Sequence, residues 1–182
     1  GTFYPIVLSD SFRLVHSGDV KIYESTQRDD GPRRAFLVHQ SCTADIDTAL
    51  GLMTDPAFDP DRTVVLAGSD ARMTGGCVEP AVDPAPDEWA RVVEDSGQAL
   101  VVDVHSRTEG YLVVTDAWYP GWSATFERLD GPAETHQRAV QQADILFRAV
   151  PIQPGLWRVT LSYESSGVTI GGVITGIGLI AL

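Results

Sequence analysis

Trp118, Tyr119 and Trp122 crowd around a Pro120-Gly121 step. Aromatic rings on a turn offer large flat apolar faces that can stack against sugar rings; the same rings can instead close the end of a hydrophobic core. Asp55, Asp59 and Asp61 lie close together between prolines. Hard oxygen ligands on a loop suit Ca²⁺, but the spacing is not that of an EF-hand, and aspartate is common in turns. Asp59-Pro60-Asp61 also spells the short Asp-x-Asp pattern that holds a metal-bound nucleotide sugar in some glycosyltransferases, a match that arises often by chance. His16, His39, His105 and His136 are scattered, with no pair four residues apart as zinc ligands on one helix require. There is no Gly-x-Ser-x-Gly elbow and no phosphate-binding Gly-x-x-x-x-Gly-Lys. Gly176 and Gly178 lack the preceding strand and following acid of a dinucleotide fingerprint. Asp116 with Glu127, or Asp144 with Glu164, would make a hydrolase pair only at the right carboxylate separation, which spacing along a chain does not fix. No catalytic residue, metal site or cofactor is therefore assigned. The only ligand-binding candidates are Trp118, Tyr119 and Trp122, as a glycan-stacking surface.

The elements that must position these rings are mostly strands. Phe12 to Val15 and Val20 to Glu24 flank His-Ser-Gly-Asp, a hairpin signal in which Gly18 can supply a positive φ. Arg34 to His39 reads as a third strand. Thr43 is a plausible helix N-cap, and Ile46, Ala49, Leu50 and Met53 then fall on one helical face, up to a stop at Pro56. Thr63 to Leu66 is another strand, so residues 1–75 read as a small β-β-β-α-β unit. Residues 76–88 hold three prolines and four acids and read as a linker or surface loop.

Beyond the linker the period is two. Leu100, Val102 and Val104 alternate with Val101, Asp103 and His105. Tyr111 to Thr115 is a continuous β-prone run. Trp157, Val159, Leu161 and Tyr163 alternate with polar residues, which makes Trp157 a core residue. Trp89 is also assigned to the core. Pro120-Gly121 and Pro154-Gly155 each suit a type II turn, with proline fixing φ and glycine taking the positive φ after it. Residues 89–166 thus read as an antiparallel β-sandwich of jelly-roll or immunoglobulin-like kind. The expected fold class is mainly β, with the small α/β unit ahead of the sandwich.

Hydrophobic content of 43% and charged content of 21% are ordinary for a globular protein, and the net charge is −12. An acidic surface repels phosphate backbones, which argues against nucleic acid as a partner. Lys21 is the only lysine, and there is no asparagine to accept an N-linked glycan. Cys42 and Cys77 are the only cysteines. Two buried free thiols are the expectation, with a disulfide closing a long loop as the alternative outside the cytoplasm.

Val168 to Leu182 carries no charge, and its Val, Ile and Leu residues cover every face. Residues 167–182 therefore read as the start of a truncated transmembrane helix, a span needing about 20 apolar residues. The alternative is a buried strand or core helix. No Lys or Arg follows Arg158, which favours the extracytoplasmic side for this flank.

The run from Tyr111 to Phe126 (YLVVTDAWYPGWSATF), the run from Leu146 to Tyr163 (LFRAVPIQPGLWRVTLSY) and the glycine-containing apolar tail together resemble the C-terminal part of YfhO-type bacterial membrane proteins. Gly18 to Glu24, Pro32 to Phe36 and Phe58 to Pro60 are similar to N-terminal pieces of the same pattern. The chain departs from it where Gln153-Pro154-Gly155 replaces a Pro-Ala-Gly turn and where Arg33 is extra. The resemblance implies a multi-pass glycosyltransferase using a polyprenyl-phosphate sugar donor, with its catalytic acid on an early extracytoplasmic loop between membrane helices, outside these residues. It also implies a location on the extracytoplasmic side of a bacterial membrane. The partners it implies are the transmembrane remainder of the same protein and, for this domain, a cell-envelope glycan acceptor that it positions or recognises. A structural or interaction module without a ligand is the alternative.

Overall fold

The structure, a computed structural model, describes residues 12–25, 33–68, 77 and 84–164. The chain divides into two compact units, residues 1–33 and 34–182. In the first, β1 (Phe12–Ser17) and β2 (Lys21–Ser25) form an antiparallel hairpin with an irregularity between Leu14 and His16. Gly18 closes it through a bond from its N–H to the Val20 carbonyl, without the positive φ expected of it.

The second unit is mainly β. Its strands are β3 (Ala35–Val38), β4 (Gln40–Ala44), β5 (Thr63–Ala67), β6 (Trp89–Asp95), β7 (Ala99–Ser106), β8 (Gly110–Val114), β9 (Trp122–Arg128), β10 (Thr135–Ala139), β11 (Gln141–Ala143), β12 (Phe147–Ile152) and β13 (Gly155–Tyr163). They form a five-stranded sheet, β10-β9-β13-β7-β6, and a six-stranded sheet, β3-β8-β12-β11-β5-β4. All pairings are antiparallel except β4 with β5.

Alternation builds the core. In β7 every second residue is buried, and Leu100, Val102 and Val104 lie opposite Leu161, Val159 and Trp157 of β13. Ala124 and Phe126 of β9 extend that face, and Leu37, Leu112, Val114, Val150 and Ile152 meet it from the six-stranded sheet. A two-sheet sandwich results, because each sheet has an apolar face that must leave water. β3, β4 and β5, expected in a separate unit over residues 1–75, are strands of the same sheet as β8, β11 and β12.

Around the helix the sequence reading needs correction. Gln40–Ala44 is a strand rather than a helix lead, and α1 (Ile46–Met53) is capped by Asp45, not Thr43. The Asp45 carboxylate accepts the Thr48 N–H at 2.8 Å. The polar make-up of Gln-Ser-Cys-Thr hides a strand whose pairing with Thr63–Ala67 is supplied by tertiary structure. α1 crosses over between the two parallel strands, and Ala49 packs against Cys42, Ala44 and Val65, joined by Leu52 and Met53. Ile46 and Leu50, assigned to the buried face, are exposed. Trp89, assigned to the core, is 41% exposed. It pairs with His105 on the outward phase of β7, while Ala90 and Val92 take the inward positions of this edge strand.

Cys42 and Cys77 are disulfide-bonded rather than free, closing 35 residues. They face each other across an isolated antiparallel bridge at the edge of β4, and Cys42 is fully buried. Among the described residues no helix is long and apolar enough to cross a membrane, and the span expected over residues 167–182 lies outside the described residues.

Two turns carry backbone constraints. Gly121 (φ 109°) and Gly155 (φ 131°) both take the positive φ expected after proline. A Cβ on Gly121 would come within 2.7 Å of the Glu164 carbonyl oxygen. Gly121→Ala is accordingly expected to cost about 1–3 kcal/mol in urea denaturation; an unchanged midpoint would show that the turn relaxes freely. Between β11 and β12, Asp144 (φ 47°) and Ile145 (φ 68°) adopt left-handed conformations without being glycine. Asp144 is fixed there because its N–H bonds the Val65 carbonyl at 2.7 Å and its carboxylate accepts the Val65 N–H at 2.8 Å. Burial pushes this carboxyl up from its ordinary pKa, against the Val65 amide.

Candidate functional site

The aromatic turn lies at the end of the sandwich where β8 runs out, β9 begins and β12 begins. Its three rings have separate fates. Trp118 packs against the core, donating its indole N–H to the Val140 carbonyl at 3.1 Å and its backbone N–H to the Leu146 carbonyl at 2.8 Å. Tyr119 is 60% exposed. Trp122 is half-buried, tilted against Tyr163 with ring centroids 5.4 Å apart, and lines a polar cleft of about 280 Å³. Of the three candidate stacking residues, therefore, one closes the core, one faces solvent and one borders a cleft.

The charged walls of that cleft are Arg34, Asp95, Asp116 and Arg148. Arg34, just ahead of β3, pairs with Asp95 at the end of β6 and with Asp116 Oδ2 at 3.0 Å. Those bonds, to Asp116 first and Asp95 second, raise the Arg34 pKa. The Asp95 carboxyl is lowered, chiefly by the Gly97 N–H and then by Arg34. Arg148 is different. Its guanidinium carbon stands 3.6 Å from the Trp122 ring centroid, and its Nε donates to the Ala117 carbonyl at 2.9 Å. Its side chain is only 9% exposed, and Asp116 Oδ2, at 3.7 Å from Nη1, is an ion-pair partner beyond hydrogen-bond reach. Burial lowers the Arg148 pKa, opposed by Asp116 and assisted by Arg34. A nearly buried cation is thus held over an indole ring in the wall of the cleft.

Arg148 arrives there through strand phase. Arg148, Val150 and Ile152 share the inward face of β12, opposite Val114, Leu112 and Gly110 of β8. A cation at an inward position is the signal that the reading by aromatic residues missed.

A second polar cluster lies at the β3–β4 junction. His39 Nε2 is 3.1 Å from Glu88 Oε2, and both side chains are only 2% exposed. Glu88 also accepts the backbone N–H groups of Ala85 at 2.5 Å and Arg107 at 2.6 Å, and the Ser106 hydroxyl at 3.2 Å. His39 Nδ1 lies 3.0 Å from the Glu109 carbonyl. Thr108 Oγ1 lies 3.2 Å from the same His39 Nδ1, while Ser106 bonds Glu88 and the Thr108 carbonyl, so Glu88, His39, Ser106 and Thr108 form one linked polar cluster. It fastens the chain entering β6 to the β7–β8 turn.

The remaining candidates stay apart. Asp55 and Asp59 each accept a backbone N–H two residues on, from Ala57 and Asp61. Among the described residues no three acidic, His or Cys side chains converge to hold a metal ion. His136 stacks on Phe126, and His105 bonds the Asp87 carbonyl. No family model, curated protein or solved structure matches this chain. The cleft is therefore interpreted from its own chemistry.

Proposed function

We propose that this is a non-catalytic recognition domain, and that it holds a glycan in the cleft walled by Arg34, Asp95, Asp116, Arg148 and Trp122. The observation that carries the reading is Arg148, nearly buried on the Trp122 ring in the wall of a polar cleft, with no hydrogen bond from its terminal nitrogens to Asp116. Sugar hydroxyls both donate and accept, and a cleft that mixes guanidinium donors with carboxylate acceptors beside an aromatic edge matches that requirement. The Cys42–Cys77 bond supports an oxidising, extracytoplasmic location. With the YfhO-like motifs, this reading makes the domain the acceptor-positioning part of a membrane glycosyltransferase whose chemistry is done elsewhere in the protein.

The test is a titration with a panel of cell-envelope oligosaccharides, followed by tryptophan fluorescence. Binding is expected to change the emission of the wild-type domain and to weaken at least about tenfold in Arg148→Ala, a loss of roughly 1.4 kcal/mol. Silence across the panel in a folded protein would overturn the reading.

One observation favours a protein-interaction module instead. A mainly apolar groove lined by Ile46, Ala49, Val65 and Ile145 runs beside α1, and Leu50 and Leu146 are exposed in the elements that border it. Concentration-dependent self-association abolished by Ile46→Asp would support that reading.

A further inference from the structure

We infer that the cleft selects a neutral sugar through two adjacent hydroxyl groups and discriminates against acidic ones; this rests on the glycan-recognition reading. The inference follows from which valences are already used. Arg34 spends its fork on Asp95 and on Asp116 Oδ2. Arg148 spends Nε on the Ala117 carbonyl, and its terminal nitrogens make no hydrogen bond to Asp116, whose Oδ2 is 3.7 Å away. Asp116 Oδ1 is engaged by neither arginine. What the four groups leave unused among themselves, in the wall of one cleft, is therefore a planar pair of donors and one carboxylate acceptor.

Two neighbouring hydroxyls satisfy that set. Both oxygens accept from the terminal nitrogens of Arg148, and one O–H donates to Asp116 Oδ1. An anionic group satisfies only half of it. A carboxylate takes the Arg148 fork but has no proton for Asp116, and a carboxylate or a phosphate alike brings a second negative charge beside that of Asp116. Charge points the same way: the two arginines and two aspartates of the cleft cancel, in a chain of net charge −12. Stacking on Trp122 fixes the plane of the fork, so Arg148 is the specificity-determining residue and Asp116 the discriminating one.

The experiment is calorimetry on the wild-type domain with neutral oligosaccharides, with their uronic-acid counterparts and with inorganic phosphate, over about a tenfold range of salt. Neutral ligands are expected to bind with affinity nearly independent of salt. Asp116→Asn is expected to weaken them by about tenfold or more, the loss of a charge-assisted bond. Arg148→Lys, which keeps the charge and loses the planar fork, is expected to weaken them comparably. Preference for uronates or phosphate, with affinity that falls as salt rises and grows in Asp116→Asn, would overturn the neutral-diol inference and leave a recognition cleft standing. No heat from any arm, with the wild-type domain folded by circular dichroism, would overturn both. The salt series needs no variant, so a destabilised Asp116→Asn does not block the decision.

Discussion

Glu88→Ala is expected to lower folding stability by about 2–4 kcal/mol, among the largest single-residue effects in this molecule. The carboxylate sits at the meeting point of four donors, from Ala85, Arg107, Ser106 and His39. Removing it leaves the buried His39 Nε2 and the part-buried Ala85 N–H without their acceptor, whereas the Arg107 N–H is exposed and can turn to water. Urea denaturation at neutral pH measures the loss, and a shift below about 1 kcal/mol would show that water or a rearranged loop takes the place of the carboxylate.

The same residue fixes the sign of an acid limb. Burial works against the charged Glu88, but the Arg107 and Ala85 N–H groups and His39 outweigh it, so the folded carboxyl lies below its ordinary pKa. A group whose pKa is depressed by folding contributes stability above its unfolded value and loses it as pH falls through the folded value. Stability should therefore decline below the ordinary glutamate range, about pH 4.3. Glu88→Gln, which does not titrate, should flatten that decline.

The second large effect belongs to the disulfide. Replacing both Cys42 and Cys77 with serine is expected to cost about 2–4 kcal/mol, because the bond restricts a loop of 35 residues in the unfolded chain. Reduction of the wild-type protein should produce a comparable fall in the urea midpoint, while the double variant should be indifferent to reductant. Equal midpoints for oxidised and reduced wild-type protein would show that the bond adds nothing to the folded state.

What could be read in the sequence was what short-range pattern encodes. The alternation in Ala99–Ser106 and Gly155–Tyr163 reflects a sheet with one face in a core, and the two Pro-Gly steps reflect a φ that glycine adopts without strain. Gln40–Ala44 was not readable as a strand, because its composition is polar and its partner lies about twenty residues further on, in parallel. Trp89 misled because a large aromatic suggests burial, whereas the strand phase relative to β7 decides which way it faces. Of the cleft, only Trp122 and Asp116 stood out, Asp116 as one half of a carboxylate pair with Glu127. Arg34 meets Asp95 and Asp116 across 61 and 82 positions, proximities that only the closed sandwich creates. Arg148 left one trace, a cation in phase with Val150 and Ile152. The Glu88–His39 pair left none, since Glu88 lies in a proline-rich acidic stretch and His39 ends the stretch read as a strand, 49 positions away.

The order of strands in the larger sheet governs how this domain can be made. β3 has β8 as its neighbour, and β5 has β11, so strands synthesised early wait for partners from the second half of the chain. Loop closure must precede most of the rewarding contacts, which slows folding relative to a protein built from local pairs. As the polypeptide emerges, its first half presents β3 without β8, and β5 with β4 on one side but without β11 on the other, leaving exposed strand edges of the kind that recruit other chains. Holding these edges apart until their partners have been made is thus a task for whatever receives the nascent chain, and cutting the chain between β5 and β6 would leave each fragment with three strands of the larger sheet.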